Sequence, residues 1–192
     1  MSNLFQKLEF EAFRAGITPR SKESRDWFRK KARAMRVNRS QLMQEDEIQL
    51  RTRSATGAMF MFFYDPKHKK TLPYYDSFPL IIVVVKSACG FIGLNLHYLP
   101  IALRAKFLDG LMDTTNNKKY DESTKFAISY NMLKSASKLK YFKPCYKHYL
   151  TKHVRGRLAL VPAPEWEIAT FLPTADFRKA NNFKVYNDSQ KM

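Results

Sequence analysis

Residues 60–85 read FMFFYDPKHKKTLPYYDSFPLIIVVV. Two apolar runs, one aromatic and one β-branched, flank a stretch holding Lys67, His68, Lys69 and Lys70 with Tyr64, Tyr74 and Tyr75. Such runs suit a pleated surface, which predicts two strands. Neither run alternates cleanly between apolar and polar, so both faces of each strand are expected to be covered. The turn KSACG (86–90) leads to a third run, FIGLNLHYL (91–99). Three such neighbours predict an antiparallel meander at the centre of the fold. The charged stretch between the first two then lies at a loop tip, with its tyrosine rings at the edge of the core and its lysines in water. A solvated turn that discourages edge pairing explains it; so does a loop that contacts phosphates.

After Pro100 the period changes. In PIALRAKFLDGLMD (100–113), Leu103, Phe107 and Leu111 recur every fourth residue, and Pro100 suits a first helical position. A second helix is expected over 122–140, starting near Ser123 or Thr124. A third is expected over KPCYKHYLTKHVRGR (143–157), again with a proline, Pro144, at its start. LALVPA (158–163) reads as a short strand, PEWEIATFL (164–172) as a short helix, and the chain from Phe183 as polar.

Upstream of the strands, residues 1–17 form an amphipathic segment ending at Gly16. The stretch 18–54 is strongly charged, with Ser21 placed to cap a helix. From Arg20 to Arg39 there are nine Lys or Arg against two acids, and few apolar residues beyond Trp27, Phe28, Met35 and Val37. This predicts a basic helical arm whose narrow stripe docks on a neighbouring subunit. The expected class is α+β: a small antiparallel sheet or partial barrel packed with C-terminal helices. The expected division is an N-terminal segment and arm (1–55), a core domain (56–185) and a polar tail (186–192).

The 192 residues carry 34 Lys and Arg against 17 Asp and Glu, a net +17. So large an excess repels itself and is relieved by a polyanion. Nucleic acid is the first expectation and an anionic membrane the competitor. The 45% hydrophobic content is enough for a core. Cys89 and Cys145, without a recognisable signal segment, point to a reducing compartment and free thiols. The longest purely apolar run, 79–85, is too short to span a bilayer.

Between Ser123 and Pro164 there is no Asp or Glu, whereas Lys140, Lys143, Lys147, Lys152, Arg155 and Arg157 all fall there. A solvated helix normally mixes signs to gain pairs four residues apart. On the expected third helix Lys143 and Lys147 share a face, with Lys140 close by, and such a row suits a phosphate backbone. The alternative is a surface that meets acidic protein neighbours. Candidate DNA contacts are therefore Arg29, Lys30, Arg33 and Arg36 on the arm, Lys67, Lys69 and Lys70 on the loop, and those six residues. Catalysis finds little support. Asp65-Pro66-Lys67 is a poor match to the acidic-x-Lys element of nucleases. His148 and His153 are five apart, the wrong spacing for two ligands on one helix face, and no phosphate-cradling glycine motif is present. Glu165 and Glu167 fit the first turn of a short helix. No catalytic residue, metal or cofactor is expected.

The blocks MFFYDPKHKKTLPYYDSFPLIIVV (61–84), GFIGLNLHYLP (90–100), KPCYKHYLTKHVRGR (143–157) and PEWEIATFLPTADFRKA (164–180) resemble the DNA end protectors, head-completion proteins of T4-like contractile-tailed bacteriophages. The resemblance spans roughly 1–185. It implies a non-catalytic virion protein that binds the end of packaged double-stranded DNA, shields it from host exonuclease and completes the head for tail joining. Its partners would be duplex DNA and other virion proteins (portal, neck or tail subunits), with no membrane. Its location would be the virion, and the host cytoplasm during assembly. A structural connector of neck, tail or baseplate, binding acidic neighbours without touching DNA, is the rival. Trp27, Phe28 or an exposed tyrosine would be available to stack on a terminal base pair.

Overall fold

The computed structural model describes residues 4–45 and 48–191. Helices α1 (Leu4–Arg14), α2 (Lys22–Ala34) and α3 (Arg39–Leu42) come first. Strands β1 (Leu50–Arg51), β2 (Met59–Tyr64), β3 (Tyr75–Asp76), β4 (Leu80–Ser87) and β5 (Gly90–Asn95) follow. Helices α4 (Ile101–Thr115) and α5 (Glu122–Ala136) precede β6 (Tyr146–Leu150) and β7 (Val154–Val161). The chain finishes with α6 (Trp166–Phe171), β8 (Phe177–Arg178) and α7 (Asn182–Lys191). The class is α+β. Six strands form an antiparallel sheet in the order β1-β7-β2-β4-β5-β6, and β3 with β8 forms a separate ribbon.

The expected meander is present as β2-β4-β5. Its unbroken apolar runs are explained by two cores. Met59, Met61, Leu80, Ile82, Val84 and Leu94 join the helices in one. Phe60, Phe62, Tyr64, Ile81, Val83, Phe91 and Tyr149 form the other, on the opposite face. Among the described residues no helix contributes to that second core; the sheet curls over it. Phe62 on β2 meets Tyr149 on β6 at 5.4 Å between ring centres, although β4 and β5 intervene. In a flat sheet, strands three places apart would be separated by about 14 Å. Bulges at Met61/Phe63 and Val83/Val85 supply bend and extra twist. β6 and β7, joined only through the turn Thr151–His153, are not paired, so the sheet remains an open barrel. Gly90 permits the tight approach of β5 to β6: a Cβ there would lie 1.9 Å from the Tyr149 carbonyl oxygen.

The helix expected over 143–157 is not formed. Lys143–Cys145 is a single 3-10 turn containing Pro144, and the rest is β6, a turn and β7. Tyr146, Tyr149 and Leu150 have helical spacing, but the edge of β5 needs a partner for its backbone groups, and β6 supplies it from Tyr146 to Leu150. The row of Lys140, Lys143 and Lys147 on one helix face therefore does not exist. α5 begins at Glu122, beside Ser123 and Thr124 as expected, and is capped by Asp121; Pro100 is the cap of α4 rather than its first residue.

Over its described residues, the basic segment 18–55 lies against the domain. Phe28 and Ala32 of α2 and Leu42 of α3 are buried in the main core. Ser21 caps α2 as expected. The Glu167 carboxylate on α6 accepts the backbone N–H of Arg20 at 2.9 Å and 3.1 Å, and also the Ser24 hydroxyl. Glu167 thus serves the start of α2 rather than its own helix. At the other end, the stretch expected as a polar tail continues α7 to Lys191, with Val185 fully buried; Met192 lies outside the described residues. Among the described residues no helix is long and apolar enough to cross a membrane.

Candidate nucleic-acid interface

The loop that follows β2 is built before its charges are considered. The backbone N–H of Asp65 donates to His153 O at 3.0 Å, and His153 Nδ1–H donates to Asp65 O at 2.8 Å. These bonds lock the loop to the turn between β6 and β7. The Asp65 carboxylate accepts from Lys69 at 2.8 Å and Arg155 at 3.1 Å. Those two bonds hold its carboxyl below the usual value. Asp65 is thus a strut between two candidate cations, a use unrelated to nuclease chemistry. Lys179, in the left-handed region with φ 67°, donates to the carbonyls of Lys69, Lys70 and Leu72 at 2.7, 2.9 and 3.1 Å. One ammonium therefore fixes the loop backbone.

Lys67, Lys69 and Lys70 are exposed on this loop, and Lys152, Arg155 and Arg157 are exposed on the bonded turn and the start of β7. The structure brings these six candidates to two adjoining segments. Lys67, Lys70, Lys152 and Arg157 have no ion pair among the described residues. Lys147, the seventh, projects from β6 with Nζ 4.4 Å from the centre of the Tyr98 ring. Burial lowers its ammonium below the usual lysine value.

Two clefts open here. One, of about 410 Å³, lies between the loop and β6 and is lined by Lys67, His68, Lys147 and five tyrosines, Tyr64, Tyr74, Tyr75, Tyr98 and Tyr149. The Tyr64 hydroxyl accepts the Leu150 backbone N–H at 3.1 Å, fixing its ring at the edge of the curled core. Asp76 lines this cleft but is buried and committed. Burial raises its carboxyl, yet hydrogen bonds from His97, Asn95 and the Phe78 backbone outweigh this and hold it below the usual value. The second cleft, of about 440 Å³, is lined by Arg51, Arg53 and Lys86 with Thr52, Ser54, Gly156 and other residues, none of them acidic. It adjoins the first across the end of β6, since Leu150 lines one and Thr151 the other.

Sequence reasoning missed Arg51, Arg53, Lys86 and Lys179. The signal for the first two was present in RTRS (51–54), but it was counted with the arm. Lys179 has no local signal, because its role depends on contacts more than 100 residues away. The remaining candidates are elsewhere. Arg29, Lys30, Arg33 and Arg36 are exposed on α2 or just after it, and Arg29 is paired with Asp26. Lys140 and Lys143 are exposed between α5 and β6. Trp27 packs edge-on against buried Phe28 and under Lys31, so these two rings are committed within the chain. Among the described residues no three His, Cys, Asp or Glu are grouped as a metal site requires.

No curated protein and no solved structure matches the chain. Residues 3–190, nearly its whole length, match the Phage T4 terminal DNA protecting protein family. A match over that length shows the family: the chain belongs to the Phage T4 terminal DNA protecting protein family.

Proposed function

We propose that this protein binds an end of packaged double-stranded DNA through the cationic end of its curled sheet and so shields that end from exonuclease. The observation that carries this reading is the joining of the loop 65–72 to the turn 151–157 by three hydrogen bonds. The joint groups Lys67, Lys70, Lys152 and Arg157 without neutralising them. Asp65 and Lys179 fix the backbone in advance, so little ordering opposes binding. Such a surface engages phosphates through counterion release and reads no sequence directly. Protection on this reading is steric and non-catalytic: a nuclease cannot thread an end that is occupied.

Completion of the head, tail joining and residence in the virion require protein contacts as well. α1 exposes Phe10 and Phe13, and α2 exposes a row of cations on the same helical layer. We assign that layer to neighbouring virion subunits. The connector reading would extend this role to the whole protein.

Titration of linear duplex at several salt concentrations separates the two. Lys67→Gln with Lys70→Gln should make the slope of log affinity against log salt shallower by about 2, since each phosphate contact contributes roughly 0.9. Arg29→Gln with Arg33→Gln should leave it unchanged. Absence of salt-dependent duplex binding by the wild-type chain would leave the connector reading in place.

A further inference from the structure

The tyrosine-walled cleft is not explained by phosphate-backbone binding alone. A backbone site needs exposed cations on a convex or grooved surface. Here a lysine is drawn inward on a strand. Lys147 pairs in register with Gly93 on β5, and its ammonium is held over the Tyr98 ring with no ion pair among the described residues. A lysine at a strand edge ordinarily extends its head into water. The one carboxylate lining the cleft, Asp76, is already satisfied by Phe78 N at 3.0 Å, Asp176 N at 3.2 Å, Asn95 Nδ2 at 3.1 Å and His97 Nδ1 at 2.6 Å. The Lys147 donors are therefore left for something that enters.

The walls define what that is. The Tyr74 and Tyr98 rings lie 6.2 Å apart and tilted by 37°, with Lys67 and His68 on the loop above. Flat apolar surfaces beside an inward cation suit a planar ring carrying an anion. A cleft of about 410 Å³ is within the range of small-ligand sites. We propose that this cleft receives one terminal nucleotide of the DNA, its base against the half-buried Tyr74 and Tyr75 and its phosphate on Lys147, while Tyr64, Tyr98 and Tyr149 are buried as the floor. The inference rests on the DNA-binding reading above and adds the feature that distinguishes an end from a continuous duplex. An internal nucleotide is stacked on both sides and tied at both, whereas a terminal one leaves the stack at the cost of a single stacked face.

The test uses the full chain and duplexes of equal length carrying 2-aminopurine. One places it at the terminal position of an open end, one at an internal position, and one has both ends closed by hairpin loops. The wild-type protein should change the terminal fluorescence and leave the internal signal unaltered. It should bind the open duplex at least 10-fold more tightly than the capped one. Lys147→Met keeps the side-chain volume and Tyr74→Leu removes a wall; each should abolish both effects while capped-duplex affinity persists. Thermal unfolding confirms that the variants are folded. Equal affinity for open and capped duplexes, or no terminal signal from a protein that binds duplex, would overturn the cleft as the end site. Titration with a single-stranded tetranucleotide reads the cleft without a duplex. If no duplex binds, the DNA-binding reading falls, and tetranucleotide binding lost in Lys147→Met would still support the cleft. Tetranucleotide affinity unchanged in both variants would remove it.

Discussion

His97 Nδ1 lies 2.6 Å from Asp76 Oδ2, with both side chains excluded from solvent. The pair ties the turn that follows β5 to the β3–β8 ribbon, because Asp76 belongs to β3 and His97 lies two residues beyond the end of β5; His97 Nε2 also accepts from the Thr174 hydroxyl at 3.0 Å. Burial pushes the imidazole below its ordinary 6.5 against the pull of Asp76, which fixes a neutral ring donating from Nδ1. A depressed value means that the folded state binds fewer protons, so stability is complete above about 6.5 and is lost as pH falls through the folded value. Asp76, also depressed, adds a second loss below its ordinary 3.8. The melting temperature should therefore decline from pH 6.5 downward, and His97→Gln, which can still donate to Asp76, should flatten the decline between pH 6.5 and 4. Asp76→Asn should cost about 1.5–3 kcal/mol, the range for hydrogen bonds to a charged group, because an amide replaces the carboxylate that accepts from His97, Asn95, Phe78 N and Asp176 N. Unfolding curves across pH check both.

The hold of Glu167 on the start of α2 predicts how the basic segment behaves. The segment carries many trypsin sites, yet its Phe28 and Ala32 are buried. In wild-type protein the sites between Lys22 and Arg33 should resist limited trypsin. Glu167→Ala removes the acceptor for Arg20 N and the Ser24 hydroxyl and should cost about 1.5–3 kcal/mol, the range for hydrogen bonds to a charged group. Early cleavage within α2 should follow, mapped by mass of the first fragments. Equal cleavage in both proteins would mean that apolar packing alone holds the helix.

The two thiols should separate cleanly. Cys89 is exposed near the β4–β5 turn, whereas Cys145 is buried with its thiol pushed up to about 12 by burial. Since the thiolate is the reactive form, iodoacetamide should modify Cys89 in the native protein and reach Cys145 only on unfolding. Peptide mapping after a timed pulse reads this directly.

The strands were legible because aromatic and β-branched residues fill both faces without a break. Phe60 and Phe62 looked as apolar as Met59 and Met61, and all four are buried. The curl was not legible, since it depends on Phe62 meeting Tyr149, 87 positions away in the chain. The same distance problem misassigned 143–157: Tyr146, Tyr149 and Leu150 have helical spacing, and only the unpaired edge of β5 decides for a strand. At the candidate site, charge content was readable and grouping was not. Lys147 was readable as a cation but expected on a helix; its setting beside Tyr98 comes from strand register.

Lys179 gives the last prediction. Its ammonium donates to three loop carbonyls, so its charge is spent on shaping the loop rather than on a ligand. Lys179→Met keeps the aliphatic stem and removes the donors. The loop 68–72 should then exchange its amide hydrogens faster, while the melting temperature changes little because these groups are at the surface. Duplex affinity should fall about 3- to 10-fold, since the loop must be ordered during binding. The salt slope should stay within about 0.5 of wild type, because no phosphate contact has been removed. Lys67→Gln should give the opposite pattern, a shallower slope with unchanged hydrogen exchange. A slope in Lys179→Met reduced by about 0.9 would instead place Lys179 among the residues that touch DNA.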